Sequence, residues 1–446
     1  MSIKPDTFHI LTLGCAKNLV DSSTMSQLLN QQGYKQLESA NKANFIIVNT
    51  CGFIHDARTE SITELTRLAA RKKPGQFLIA AGCLSQRQQR ELLNEVDGID
   101  GLMGTRNLAD ILYVANQLKS VPKLSPLTQL PPYPALVHAN NAHASVVQGG
   151  SSYLKIADGC RRSCAFCAIP LIKGPLVSRQ PAEVIADALE LQAHGVKEIN
   201  LIAQDVTDYG RDSQPGTDLA SLLKQLLPQI QDIPWVRLLY TFPGFQRGPL
   251  MELMAGENNL LPYLDIPLHH ASPAVLKSMS RPSDIAWVED TLMSMRERIP
   301  GLVVRTTMIV GFPTETDTAF QQLMDFVSRM EFDHLGVFTF SPENGTPAEP
   351  LGDPIPQAEK EARQAELMRL QAKISLRKNQ GLIGRQLDML VEGTAPEQGV
   401  IVGRTWRDAP EIDGLVIARG SADVGEMVPV RVTGALEHDL YAEALG

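Results

Sequence analysis

Short apolar runs alternate with amphipathic stretches along most of this chain, a rhythm that restricts it to parallel sheets covered by helices. In the first 118 residues the pairs are Phe8–Leu13 then Leu19–Leu29, Phe45–Asn49 then Ala57–Ala70, Phe77–Ala81 then Arg87–Leu93, and Leu102–Met103 then Leu108–Leu118. Asn18 or Asp21 can cap the first helix and Gly33 can end it. Strands resume near Tyr153–Ala157, Glu198–Ala203, Val236–Tyr240, Tyr263–Ile266, Val303–Val310 and His334–Phe338. Helices such as Ala182–His194, Leu219–Leu227, Ala286–Arg298 and Thr316–Arg329 separate them. Such a run of units reads as a barrel or partial barrel with its chemistry at the strands' C-terminal ends. After a last helix, Gln357–Gln380, five short strands with Gly and Pro turns (Leu387–Val391, Val400–Gly403, Leu415–Ala418, Met427–Val432, Leu440–Ala444) read as a small antiparallel barrel. The fold class is therefore α/β: an N-terminal open parallel sheet domain over 1–118, a partial (β/α)6 barrel over 151–380 and a C-terminal β-barrel over 381–446. The Pro-, Asn- and Gly-rich stretch 119–150 reads as a linker.

The six cysteines sit at places this rhythm marks out. Cys160, Cys164 and Cys167 follow the first strand of the second domain, in the run Gly159-Cys-Arg-Arg-Ser-Cys-Ala-Phe-Cys-Ala168. Three thiolates at this spacing on a tight loop can hold three corners of an iron–sulfur cube, and the run offers no fourth Cys or His for the last iron. That vacant iron can bind a substrate. Structural zinc wants four closed ligands, usually as two paired knuckles, and no second knuckle follows. A disulfide fits poorly in a long chain with six cysteines and no export signal. Cys15, Cys51 and Cys83 each follow a strand of the first domain, where parallel strand ends share one edge and ligands bind. They read either as a second three-cysteine cluster or as buried thiols; their Gly- and Asn-flanked loops favour the cluster.

Composition narrows the function classes. The chain is 43% hydrophobic and 20% charged, the balance of a globular protein. It has no apolar run of the ~20 residues that cross a bilayer and no apolar core near Met1 of the kind that directs export, so the expected location is cytoplasmic, with no membrane partner. Net charge is −9, which opposes unaided binding to a phosphate backbone. Residues 381–446 carry five basic and eleven acidic side chains, a net of −6, so most of the excess lies in the tail.

A C-x3-C-x2-C loop after the first strand of a six-unit barrel, with Phe166 before the last Cys, resembles the radical S-adenosylmethionine (SAM) superfamily. In that superfamily the open iron chelates the amine and carboxylate of SAM, and an added electron cleaves the C–S bond to a 5′-deoxyadenosyl radical. The order of a three-cysteine α/β domain, a radical SAM barrel and a small β-barrel of the TRAM type resembles the methylthiotransferases over essentially the whole chain. These replace a C–H bond by C–S–CH3. The chain is similar to the branch that modifies the β-carbon of an aspartate in ribosomal small-subunit protein twelve. The matching stretches are Leu13-Gly-Cys-Ala-Lys-Asn-Leu-Val-Asp21, Cys164-Ala-Phe-Cys-Ala-Ile-Pro170, Asp265-Ile-Pro-Leu268, Phe338-Thr-Phe-Ser-Pro342 and Gly403-Arg-Thr-Trp-Arg-Asp-Ala-Pro-Glu-Ile-Asp-Gly-Leu415. The tRNA-modifying relatives differ at several of these, and at His269-His270 the family more often has Gln-His.

The resemblance implies two 4Fe-4S clusters and SAM as cofactors. Cys160, Cys164 and Cys167 hold the cluster that cleaves SAM, and Cys15, Cys51 and Cys83 hold an auxiliary cluster that carries the sulfur. Phe166 packs on the adenine or is a core aromatic, and Gln204 meets the SAM amino group or belongs to a polar loop. Gly311, in Ile309-Val-Gly-Phe-Pro-Thr-Glu315, matches a SAM-contacting position, though Gly before Phe-Pro is also a plain turn signal. Trp406, Arg407 and Asp408 touch the protein substrate, unless Trp406 is barrel core. The implied partners are a basic ribosomal protein, alone or in the ribosome, an electron donor such as flavodoxin or ferredoxin, and a sulfur donor. A tail of −6 suits a Lys- and Arg-rich protein better than tRNA, unless the acidity serves only solubility. The rival readings are a tRNA methylthiotransferase and a non-enzymatic iron–sulfur scaffold or electron carrier. Carriers close their clusters with four Cys, whereas both sets here have three.

Overall fold

The computed structural model describes residues 3–120, 126–132, 145–244 and 248–445. The chain forms two compact units, one of residues 1–146, 155–179 and 343–349, the other of 147–154, 180–342 and 350–446.

The first unit is built on six strands, β1 (Thr7–Thr12), β2 (Lys35–Gln36), β3 (Phe45–Thr50), β4 (Phe77–Gly82), β5 (Gly101–Met103) and β6 (Leu127–Gln129). They pair in the order β2-β1-β3-β4-β5-β6, every pair parallel. A strand covered on both faces must be apolar on both, and all six residues of β3 are buried. Ile47 joins Phe8, Met25, Leu28 and Ile111 on one face, while Ile46 and Val48 join Leu65, Leu68 and Leu84 on the other. The helix expected near Arg87–Leu93 is two short helices, Cys83–Gln88 and Glu91–Glu95, parted at Gln89 with φ +53°.

Of the expected linker, residues 121–125 and 133–144 lie outside the described residues, and β6 and β7 (Ser145–Gln148) form within the rest. β8 (Ser151–Lys155) follows β7 across Gly149–Gly150. The short antiparallel pair β9 (Ala157–Asp158) and β10 (Val177–Ser178) brackets the Cys160 loop in the first unit.

The large sheet continues through β11 (Glu198–Ile202), β12 (Trp235–Leu238), β13 (Leu260–Asp265), β14 (Val303–Val310) and β15 (His334–Thr339), in the order β15-β14-β13-β12-β11-β8-β7. Pairs from β11 to β15 are parallel, and helices Pro181–Ala193, Leu219–Leu226, Pro249–Gly256, Ile285–Arg298 and Asp317–Met330 make the crossovers.

Five further strands, β16 (Gln386–Ala395), β17 (Val400–Thr405), β18 (Val416–Arg419), β19 (Met427–Ala435) and β20 (Leu440–Ala444), close a barrel in the order β16-β17-β18-β20-β19. It differs from the expected antiparallel barrel at one seam: β18 runs parallel to β20. Gly403 lets β17 approach β16, because a Cβ there would strike Leu390 O.

Buried ions join this barrel to the large sheet within the second unit. Glu198 receives Arg404 at 2.6 Å, Arg237 at 3.0 Å and the Ser151 hydroxyl at 2.8 Å. Asp413 accepts from Tyr263 at 2.5 Å and faces Arg305 at 3.3 Å. Glu198 opens β11, and His334, which lies 3.6 Å from Asp408 and from Asp413, opens β15, so the small barrel docks on the N-terminal side of the sheet.

Candidate functional site

The first three cysteines leave the same edge of neighbouring strands. Cys15 caps helix Ala16–Gln31 after β1, Cys51 directly follows β3, and Cys83 directly follows β4. Gly14 (φ +93°) and Gly82 (φ +95°) turn the chain before Cys15 and Cys83. A Cβ on Gly14 would lie 2.7 Å from Cys51 Cβ and 2.9 Å from its sulfur, so glycine keeps that space open. Burial pushes the Cys51 thiol up, and Cys15 adds to it. Burial also pushes up the Cys83 thiol, with Lys173 opposing and Cys51 and Cys15 adding. Each thiol thus lies within electrostatic reach of another. Ser61 pins Cys51 from both sides, taking its N–H at 3.0 Å and donating to its carbonyl at 2.8 Å.

Asn18 and Asp21, the expected helix caps, instead point inward from the body of helix Ala16–Gln31, each 1% exposed. Cys15 holds the cap position because the chain reverses at Gly14 and the helix starts at once. Asn18 Nδ2 donates to Leu13 O at 2.7 Å and Thr50 O at 3.2 Å, and the Cys83 thiol lies 3.7 Å from its Oδ1. Gly33 (φ +85°) follows the helix end as expected.

Cys160, Cys164 and Cys167 sit on a loop tied at both ends. Gly159 takes φ +75° where a Cβ would strike Pro175 O, and Cys160 N–H donates to Gly174 O at 3.1 Å. Cys167 N–H donates to Cys164 O at 3.1 Å, and Arg162 N–H approaches the Cys160 sulfur at 3.4 Å. Phe166 is half-buried beside Cys167. Ala168 and Ile172, just beyond Cys167, pack with Cys83 in one buried cluster, bringing the two three-cysteine loops together in the first unit.

A buried network lies beside them. Asp21 reaches Lys155 through Oδ1 and Lys173 through Oδ2, the latter at 2.8 Å. Asp158 Oδ2 lies 3.2 Å from both lysines, and Thr105 accepts from Lys173 at 2.7 Å. Burial works against the Lys173 charge, but Asp158, Asp21 and Cys83 hold the ammonium well above the usual lysine range.

Gln204 and Gly311 belong to the second unit, after β11 and β14 at the C-terminal side of its sheet. Gly311 (φ +76°) donates its N–H to Glu315 at 3.0 Å, and Glu315 also receives Arg363 at 2.7 Å and faces His270 at 3.2 Å. Trp406, Arg407 and Asp408 lie on the small barrel at the opposite, N-terminal side. Arg407 and Asp408 are 6% and 4% exposed. Arg407 bonds Asn379 at 3.3 Å, Asp408 accepts from Thr405 at 2.8 Å, and Trp406 O accepts from Arg237 at 3.0 Å. The geometry gives Arg407 and Asp408 a part in internal packing rather than an open docking surface, because both are buried within the second unit.

Sequence reasoning passed over Lys155, Lys173, Glu198, Arg237 and Arg404. The signal was a charged residue at a position the apolar pattern reserves for the core, which is stable only with a partner.

The donor sets fit iron–sulfur cubes. None of the six cysteines forms a disulfide. Among the described residues no three Cys, His, Asp or Glu side chains close around a single ion; a cube takes each thiolate on a different iron and does not need that closure. A backbone N–H aimed at the Cys160 sulfur is the kind of contact that tunes such a cluster.

Comparisons with known proteins follow the same divisions. Residues 7–104 match the uncharacterized protein family UPF0004, 154–327 the radical SAM superfamily and 383–445 the TRAM domain. The chain is 42% identical to the ribosomal protein uS12 methylthiotransferase RimO of Chloroflexus aurantiacus, covering 98% of this chain and 99% of that one. It is 40% identical to the RimO of Syntrophotalea carbinolica (99% and 97% covered) and 41% to that of Myxococcus xanthus (99% and 92%). Among solved structures it resembles the radical SAM methyltransferase TsrM of Kitasatospora setae, at a TM-score of 0.57 and 13% identity over 77% of each chain, a likeness of fold. By its identity to these full-length relatives, the chain belongs to the RimO family of radical SAM methylthiotransferases.

Proposed function

We propose that this chain inserts sulfur and a methyl group at the β-carbon of an aspartate in ribosomal protein uS12, in the cytoplasm, using Cys160, Cys164 and Cys167 for one 4Fe-4S cluster and Cys15, Cys51 and Cys83 for another. When bound, the clusters and SAM supply reductive cleavage of SAM, abstraction of a hydrogen and delivery of sulfur. The observation that carries this reading is the packing of Cys83 with Ala168 and Ile172, which sets the two loops side by side within one unit. The chain's own part is to hold these loops rigid: Asn18 and Ser61 fix the first, and Gly159 with Gly174 O fixes the second. Gln204, Gly311 and Phe166 are proposed SAM contacts, Phe166 to the adenine. A low-potential electron donor and a sulfur donor are required by the chemistry. The small barrel exposes seven acidic side chains (Asp388, Glu397, Glu411, Asp423, Glu426, Glu437, Glu443) against three basic ones (Arg385, Arg419, Arg431), which suits a basic protein and opposes tRNA. The test is mass spectrometry after gene deletion. Loss of the methylthio mass from uS12 supports the reading, and loss from tRNA alone reverses it.

A further inference from the structure

We propose that Asp21 is a positioning residue that fixes the spacing between the two three-cysteine loops, acting through Lys155 and Lys173. This inference rests on the reading of both loops as cluster ligands. Asp21 stands on the helix that begins at the Cys15 loop, one turn beyond Asn18, which braces the Cys15, Cys51 and Cys83 loops. Its two carboxylate oxygens go to different places: Oδ1 to Lys155, which closes β8 before Cys160, and Oδ2 to Lys173, which closes the helix after Cys167. One carboxylate of the first loop's scaffold therefore grips the second loop at both ends. Asp158 completes the grip, bridging the two lysines with Oδ2 and taking the Gly159 N–H with Oδ1 at 3.1 Å.

A stability role alone accounts poorly for this arrangement. Lys155, Lys173 and Asp21 are 4%, 2% and 1% exposed in their side chains, and apolar residues of similar volume often serve as well as buried ions in cohesion. What buried ions add is direction, since each hydrogen bond fixes an angle and a distance that apolar contact leaves loose. Transfer from one loop's cluster to a substrate activated at the other depends on that distance, and small misplacements are costly.

The test uses the full chain reconstituted without oxygen, as wild type, Asp21→Asn and the double variant Asp21→Asn/Lys173→Met, which removes one buried charge of each sign. Iron and sulfide content, the magnetic interaction between the two reduced clusters in electron paramagnetic resonance, and the ratio of 5′-deoxyadenosine to methylthiolated product are measured. The expected result is unchanged iron content and SAM cleavage, a weakened magnetic interaction, and a ratio that rises roughly tenfold or more. An unchanged interaction and ratio in iron-replete variants overturns the proposal and leaves the function reading intact. If Asp21→Asn alone loses a cluster, the double variant decides: weakened interaction supports the role, unchanged interaction refutes it. Loss of a cluster from both variants also refutes it, by making Asp21 a folding requirement. A wild type without two clusters defeats the function reading and this inference together.

Discussion

Asn18 Oδ1 lies 3.7 Å from the Cys83 sulfur, while the amide nitrogen of the same side chain holds the carbonyls of Leu13 and Thr50. One side chain thereby braces all three loops that carry Cys15, Cys51 and Cys83. Replacing Asn18 by Ala leaves two buried carbonyls without that partner, at roughly 1–3 kcal/mol each. The expected outcome is a protein with about four irons in place of about eight, still cleaving SAM but making no methylthio product. Cys51→Ala should behave alike. Iron analysis and product chromatography check both, and a methylthio product from Cys51→Ala refutes the auxiliary role.

Gly159 makes the turn into the Cys160 loop at φ +75°, with Pro175 O where a Cβ would stand. Gly159→Ala must shift the loop start away from Gly174 O. SAM cleavage should fall by an order of magnitude or more. All three tryptophans, Trp235, Trp287 and Trp406, belong to the second unit, so their fluorescence should not change.

Glu198 sets a pH dependence for the second unit. Burial alone raises a carboxyl, but Arg404, Arg237 and the bonds from Arg404 and Ser151 outweigh it and lower Glu198 from 4.5 to about 2. Its folded value lies below the unfolded one, so its contribution is complete above about pH 4.5 and drains as pH falls toward 2. The contribution is roughly 3 kcal/mol. In wild type the denaturation midpoint, followed by tryptophan fluorescence, should drop steeply across that window. Glu198→Gln should start lower at neutral pH and show a shallower drop.

Charge on the small barrel should govern docking of a basic substrate. Glu397, Glu411 and Glu437 are exposed. Their joint replacement by Lys should raise KM for uS12 roughly tenfold at low salt while kcat holds, and the effect should fade at high ionic strength. A KM indifferent to both charge and salt places docking elsewhere.

Much of the architecture is legible in the residues because apolar periodicity is local. Gln357–Gln380 and Val303–Val310 are helix and strand at the expected bounds, and the cysteines follow their strands because loop and strand adjoin in sequence. Long-range partnerships are not legible in this way. Asp21 and Lys173 stand 152 positions apart, and Glu198 and Arg404 stand 206 apart; in each pair only the fold reveals why a charge occupies a core position. Asn18 and Asp21 look like caps because Asn and Asp favour helix starts, yet the helix begins three and six residues earlier than that and buries both. The parallel seam between β18 and β20 escapes notice because strand direction leaves no mark on alternation.

Iron and labile sulfide, measured on protein purified without oxygen and paired with spectra before and after SAM, decide whether the six cysteines hold two open clusters. Two clusters with one open iron each predict about eight irons and eight sulfides, with a spectral change on adding SAM that Cys164→Ala abolishes. Zinc in their place, or clusters whose spectra ignore SAM, would overturn the two-cluster reading.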